Sequence, residues 1–127
     1  MLWMKSSFYK LKGGSSTSSQ VKQVPPDIIQ STGGSAEIQC SHNIPNYNRI
    51  LWYKQTKDGQ LTYLGYLLGK DANPESEFKN KIELVGFSNT NGSMMVEKLL
   101  PKDAAVYFCA IVQSDDGVPN ITFVLTL

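Results

Sequence analysis

The residues of this sequence that could most readily react or bind a metal are two cysteines, Cys40 and Cys109, and a single histidine, His42. A structural zinc site normally takes four ligands from closely spaced Cys and His pairs. One histidine and two separated cysteines do not supply that set, so we expect no metal site. The cysteines could be two buried thiols or one disulfide, and their types alone leave both interpretations open.

Enzymatic chemistry would need a nucleophile, a base and a group that orients the base. His42 is the only histidine, and it stands in a segment with loop composition. Asp115 and Asp116 are adjacent, so in an extended loop their side chains point apart. The sequence has no glycine-rich phosphate loop followed by Lys and Ser or Thr. We therefore predict a chain that is not an enzyme and uses no cofactor.

Length and composition favour one globular domain. The chain has 127 residues, of which 41% are hydrophobic and 18% charged, enough for a core and too apolar for disorder. The net charge of +1 gives no electrostatic reason to expect a nucleic acid partner. Apolar runs fall short of the roughly 18 residues of a spanning helix, so we expect no direct membrane insertion by this chain.

The first residues differ in texture from the rest. A short apolar start is interrupted by Lys5, Lys10 and Lys12, and residues 13–19 are Gly, Ser and Thr only. Such a segment is typical of a flexible linker. We expect residues 1–20 to be a disordered leader or linker remnant outside the fold, with the domain over residues 21–127.

From residue 21 onward, short β-rich runs alternate with Gly, Pro, Asn and Asp clusters. Runs at intervals of about eight to twelve residues are typical of an antiparallel sandwich or barrel. Asn91-Gly92 is the strongest hairpin signal, because both residues accept positive φ. The sequence thus predicts an all-β domain with strands at 20–24, 35–41, 50–55, 61–67, 81–85, 93–98, 105–112 and 121–125.

Three residues in order, Cys40, Trp52 and Cys109, carry a family resemblance. Together with the runs WYKQ at 52–55 and DAAVYFC at 103–109, they resemble the immunoglobulin variable domain. The resemblance covers about residues 21–112 and implies a V-type, two-sheet antiparallel Greek-key sandwich. The runs at 50–55 and 60–67 look most like a T-cell receptor beta chain variable region of a bony fish.

The resemblance implies specific core contacts. Cys40 and Cys109 would form a disulfide between the sheets, packed against Trp52. The hydroxyl of Tyr107 would bond nearby backbone at a corner that begins at Asp103. Lys81 would pair with the carboxylate of Asp103.

Alternation along the strands indicates where a partner would bind. If Trp52 faces the core, Tyr53 and Gln55 face outwards, and the same argument directs Phe108 outwards next to Leu61. Aromatic and leucine side chains on one face are typical of an interface core. The alternative is that the domain's own last loop covers Tyr53 and Phe108. By resemblance, the partner is an alpha-type variable domain, whose glutamine would bond Gln55.

Antigen contact in the resembled family comes from three loops at one end, here about 42–49, 68–73 and 111–120. By that resemblance the ligand is a peptide presented on MHC, and the receptor lies at the extracellular face of the plasma membrane. The candidate contact residues are polar, aromatic or charged: His42, Asn46, Tyr47, Asn48, Arg49, Lys70, Asp71, Gln113, Asp115 and Asp116.

Two Asn-x-Ser/Thr triplets make Asn91 and Asn120 candidate glycosylation sites.

The end of the chain departs from the family, because Val124 and Thr126 replace the two glycines expected after Phe123. We therefore expect an atypical last strand. The competing functional hypothesis is a variable-type innate immune receptor or cell-adhesion module that acts unpaired.

Overall fold

The computed structural model describes residues 2–6, 21–25, 27–112 and 124–126. Two short 3-10 helices, Ser76–Phe78 and Pro101–Asp103, are the only helices in this part of the chain. The remaining elements there are strands: β1 (Leu2–Ser6), β2 (Val21–Val24), β3 (Asp27–Gln30), β4 (Ala36–His42), β5 (Arg49–Gln55), β6 (Leu61–Leu68), β7 (Asp71–Pro74), β8 (Ile82–Phe87), β9 (Asn91–Val96), β10 (Val106–Val112) and β11 (Val124–Thr126).

The strands form two sheets. The larger sheet has the order β3-β1-β10-β5-β6-β7, with β11 also paired to β10, and the smaller has the order β2-β4-β9-β8. All pairings between the described strands are antiparallel except that of β1 with β10. The predicted all-β, V-type two-sheet sandwich is confirmed.

The core lies between the two sheets, as period-2 alternation requires. In β4 the side chains of Ala36, Ile38 and Cys40 are buried while those between them are exposed. Met94 and Val96 of β9 face the same interior. Burial of a large side chain such as Ile38, Met94 or Val96 stabilises the fold by roughly 1.5–3 kcal/mol, so the alternating pattern favours the packing of these two faces against each other.

The expectation that all of residues 1–20 lie outside the fold is wrong for Leu2–Ser6. This segment forms β1, which pairs antiparallel with β3 and parallel with β10. The physical reason lies in the backbone of β10. Among the described residues, β11 pairs with β10 at residues 109–111, and β1 pairs with the backbone of Val106 and Tyr107 further along the same strand. Residues 7–20 lie outside the described part.

The predicted Asn91-Gly92 turn is placed differently. Asn91 and Gly92 lie in β9, and the hairpin turn precedes them, closed by the Thr90 N–H, which donates to the Phe87 carbonyl at 2.9 Å. A Cβ on Gly92 would lie 2.8 Å from Ile50 Cδ1, so this glycine permits close packing between the sheets rather than a turn.

Candidate binding surfaces

A disulfide joins the two sheets at the centre of the sandwich. Cys40 of β4 and Cys109 of β10 are bonded, with their Cα atoms 6.5 Å apart. Trp52 is opposite Cys109 in the register of β5 and β10, and its side chain is fully buried. In the chain-entropy picture, closing so long a loop stabilises the domain by roughly 4 kcal/mol.

A second group of contacts closes the end of the sandwich near Asp103. The Tyr107 hydroxyl donates to the Asp103 carbonyl oxygen at 2.7 Å. The Asp103 carboxylate accepts the Leu100 N–H at 2.8 Å and lies 2.6 Å from Lys81 Nζ. Burial, with a smaller contribution from Asp103, raises the pKa of Tyr107. These contacts fix the position of the start of β10, which is a strand of the larger sheet.

The outer face of the larger sheet is aromatic. The ring of Tyr53 stacks on Phe108 with centroids 5.3 Å apart, and it lies 5.2 Å from the ring of Tyr63. Leu61, near the end of the same face, is 54% exposed. Burial raises the pKa of Tyr63 to about 12, with a further rise from Tyr53. Burial on this face therefore favours the neutral form of the Tyr63 phenol.

Phe108 corrects the expectation of an exposed interface residue. It lies opposite Tyr53 in the register, on the outer face as predicted, but it is only 2% exposed. Alternation determines the face of a strand on which a side chain lies, whereas its exposure depends on what packs over it. Here the Tyr53 ring lies against it, so Phe108 supports the surface and Tyr53, Leu61 and Tyr63 form it.

Gln55 has a partner within its own chain. Its Nε2 donates to the carbonyl of Gly59, at 3.4 Å, in the turn that joins β5 to β6. The contact is long and partly solvent-exposed, so exchanging it for another acceptor would cost little. A bond to a partner's glutamine would have to replace this contact.

Tyr63 and Tyr66 belong to the outer face and were missed in the sequence. A β-bulge opposite Trp52 and Tyr53 shifts the register, so that Tyr63 and Tyr66 project to the same side although their positions differ in parity. Arg49 lies over the Tyr66 ring, 4.7 Å from its centroid. The alternation of Leu61 with Tyr63 could have identified Tyr63, but Tyr66 follows the bulge and carries no such signal.

The loops between β4 and β5, between β6 and β7, and between β8 and β9 share one end of the sandwich. His42, expected to contact antigen, is instead 6% exposed. Its Nδ1 accepts the Ile44 N–H at 3.2 Å, and its Nε2 donates to the Ser88 carbonyl at 2.7 Å. His42 is therefore a buried structural residue, because β4 continues its inward alternation one step beyond Cys40.

Ser88 ties the three loops together. It is fully buried, and its hydroxyl donates to the Asn48 carbonyl oxygen. The same hydroxyl oxygen accepts the Gly69 N–H at 2.6 Å. Nothing in the sequence distinguishes this serine from an ordinary turn residue. Its contacts make the bases of the three loops one connected unit.

The other expected antigen-loop residues divide into three groups. Asn46 is exposed, and Lys70 and Asp71 are exposed at the β6–β7 hairpin, where a strand replaces part of the expected loop 68–73. Tyr47 packs partly against the core, and Asn48 and Arg49 are half-buried, Arg49 at the start of β5. Those outside the described residues are Gln113, Asp115 and Asp116.

The described residues include one of the two glycosylation candidates. Asn91 is exposed at the start of β9, while Asn120 lies outside the described residues.

Within the described ranges, no cluster of three or more His, Cys, Asp or Glu side chains could hold a metal ion. In the same ranges no helix has the length and apolar character needed to cross a membrane.

The sequence profile of the immunoglobulin V-set domain matches residues 23–127. The chain therefore belongs to the immunoglobulin V-set family, whose sandwich, central disulfide and buried tryptophan are the features described above. Domains of this class are receptor and binding domains rather than enzymes.

T-cell receptor variable regions are among the proteins similar to this chain. Human T cell receptor alpha variable 1-1 is 25% identical over 95 residues, covering 75% of this chain and 85% of the relative. Human T cell receptor beta variable 5-1 is 28% identical over 100 residues, covering 79% and 87%. Alpha and beta relatives match at comparable identity, so identity alone does not distinguish the chain type.

Among solved structures, one chain comes from work on T cell specificity and activation by the bacterial superantigen toxic shock syndrome toxin-1. It matches this chain with a TM-score of 0.68 and 22% identity, over 83% of this chain and 90% of that one. At that identity the likeness establishes the shared fold.

Proposed function

We propose that this chain is the variable domain of a beta-type antigen-receptor chain that lies at the extracellular face of the plasma membrane. In this proposal the outer face of the larger sheet binds an alpha-type variable domain. The loops at the end marked by Ser88 bind a peptide presented on MHC. The similarity to alpha and beta variable regions supports this class of function.

The observation that carries the pairing proposal is the aromatic group on the outer face. Tyr53 stacks on Phe108 and contacts Tyr63, and Leu61 is 54% exposed beside them. Half-buried tyrosines with a supporting ring beneath them lose little conformational entropy when a partner covers them. Their hydroxyls remain available to bond across an interface.

The antigen-binding part of the proposal depends on the connected loop bases. His42 and Ser88 fix the backbone at Asn48 and Gly69, so the exposed residues between them start from an ordered frame. A binding site whose backbone is already ordered loses less conformational entropy when a ligand binds. Asn46 and Lys70 are two of the exposed side chains that this frame presents.

A second candidate function is an unpaired variable-type receptor or adhesion module. Two observations favour it: Phe108 is already covered within the single chain, and Gln55 bonds its own hairpin. Such a domain would keep the same fold and disulfide but would not need an alpha-type partner.

Co-expression distinguishes the two functions. The chain is produced with an alpha-type variable domain, and pairing is measured by co-purification and by molecular mass in solution. Leu61→Asp places a charge in the proposed interface and should weaken pairing at least about tenfold, the effect of roughly 1.4 kcal/mol. The matched control, Val85→Asp, places the same charge at a 43% exposed site on the opposite sheet and should leave pairing intact.

The circular dichroism spectrum and melting temperature of both variants must match the parent, so that loss of pairing is not loss of fold. Pairing that survives Leu61→Asp would contradict the proposed face. A monomer with every alpha-type domain tested would favour the unpaired receptor.

A further inference from the structure

The outer face of the smaller sheet has an exposed apolar pair on one strand. Val85 and Phe87 of β8 are 43% and 44% exposed. Their alternation with the buried Ile82 and Leu84 directs them away from the core. The proposed alpha-type partner would bind the opposite sheet and would leave this pair uncovered.

Directly opposite this pair lies a glycosylation triplet. In the register of β8 and β9, Phe87 is opposite Asn91 and Val85 is opposite Ser93. Residues opposite each other in antiparallel strands share a face, with Cβ atoms about 4.5–5.5 Å apart. Asn91 is exposed, as a carrier of a bulky glycan must be.

We propose that Asn91 carries an N-linked glycan whose first sugar packs on the ring of Phe87. This inference rests on the proposed extracellular placement, because the modification requires entry into the secretory pathway. The donor is an oligosaccharide on a lipid diphosphate. The Asn91 amide nitrogen forms a bond to the anomeric carbon, that carbon's bond to the diphosphate oxygen breaks, and the amide loses one proton.

The chemistry of the two groups is complementary. An aromatic ring has a negative face, and the C–H groups on one face of a pyranose are weakly positive. The first sugar therefore covers apolar ring surface while its hydroxyls stay in water. Val85 extends the apolar surface by one cross-strand position toward Ser93.

The hairpin holds the two positions in a fixed relation. The Thr90 N–H donates to the Phe87 carbonyl at 2.9 Å, which closes the turn before Asn91. The His42 N–H donates to the Thr90 carbonyl at 2.8 Å, which attaches the turn to β4. The glycan root and the ring are thus positioned before any sugar is attached, and their contact needs little further ordering.

The first experiment measures the modification. The full chain is expressed in mammalian cells behind a cleavable signal peptide, and its mass is measured before and after peptide-N-glycosidase treatment. The expected result is a glycan that Asn91→Gln removes and Asn120→Gln does not. A chain retained in the endoplasmic reticulum still reports occupancy, so failure to secrete or to pair concerns the proposed function only.

The second experiment measures the contact with Phe87. Removing the glycan from the parent should lower Tm by roughly 2–4 °C, the shift of an average cross-strand contact in a domain of this size. In Phe87→Thr, which keeps a β-favouring residue, glycan removal should change Tm by less than about 1 °C. Val85→Thr is the matched control and should retain most of the parent's shift.

Unmodified Asn91 in folded chain from the secretory pathway would overturn the proposal. An equal Tm shift in the parent and in Phe87→Thr would also overturn it, because the glycan would then act without the ring. If the glycosylated chain forms dimers and Phe87→Thr dissociates them, a second copy of the chain covers this face. That result would also contradict the contact between the sugar and Phe87.

Discussion

Lys81 Nζ lies 2.6 Å from Asp103 Oδ2, and the two side chains are unequally buried, with exposed fractions of 21% and 4%. The Leu100 N–H also donates to this Asp103 oxygen, and Lys81 Nζ also donates to the Lys98 carbonyl at 2.9 Å. The pair therefore joins the start of β8 to the turn before β10. The pair stabilises the fold mainly because, without Lys81, the buried Asp103 carboxylate would have no cation beside it.

We expect Lys81→Met to destabilise the domain by about 2–3 kcal/mol, because it leaves the Asp103 carboxylate buried beside one N–H donor. Asp103→Ala should cost a similar amount, and the double variant should cost less than the sum of the two. Urea unfolding followed by fluorescence measures all three. Lys102→Met, an exposed neighbour, is the control and should stay within about 0.5 kcal/mol. Additive losses would show that the two side chains do not interact.

Stability should fall as the pH rises from 10 to about 12. Burial raises the pKa of Tyr63 from its ordinary 10.0 to about 12, and burial also raises the pKa of Tyr107. The unfolded chain therefore loses these protons first, so the stabilisation is complete below pH 10 and is lost as the pH rises through the folded pKa. Urea midpoints across this range, with tyrosinate absorbance, measure the effect.

Tyr63→Phe removes one of the phenols whose pKa is raised while keeping the ring, so its stability should decline less steeply above pH 10. An unchanged slope in Tyr63→Phe would show that this phenol ionises in the folded state as readily as in the unfolded one.

Much of the fold could be predicted from the sequence, because its strongest signals are local and covalent. Cys40, Trp52 and Cys109 stand in the order that a two-sheet sandwich with a central disulfide requires, and alternation assigns their faces. Alternation could not give the burial of Phe108, because exposure depends on what packs against the face, and the Tyr53 ring is among the groups stacked there.

Other features had no side-chain signal at all. The pairing of Leu2–Ser6 with β10 is made by backbone groups, which every sequence possesses. The short edge strand Asp71–Pro74 is polar and exposed, so its composition resembles that of a loop. Of the candidate antigen residues, His42 was placed in the loop because β4 was expected to end one residue too early.

Gly65 should be intolerant of any side chain. Its φ is +141°, and a Cβ there would lie 2.6 Å from both the Asn73 carbonyl oxygen and Pro74 Cα. Both contacts are backbone atoms of β7, so they cannot move aside as a side chain can. We expect Gly65→Ala to cost about 2–4 kcal/mol in urea unfolding.

Gly59→Ala is the matched control for this prediction. Gly59 also has a positive φ, +87°, but a Cβ there would meet nothing within 4 Å. It should therefore cost only the strain of the left-handed backbone, about 1–2 kcal/mol. Equal losses at Gly59 and Gly65 would show that strain alone, without the β7 contact, explains the effect.

His42→Ala should loosen the proposed antigen-binding end as well as destabilise the domain. It leaves the Ile44 N–H and the Ser88 carbonyl without the imidazole and opens a cavity beneath the loops. The expected cost is roughly 2–4 kcal/mol. Amide hydrogen exchange should rise at Ile44 and at Gly69, whose N–H is held by Ser88. Asn43→Ala, an exposed neighbour, should change neither. Exchange at Gly69 that stays at the parent's rate in His42→Ala would show that Ser88 holds the loops without the histidine.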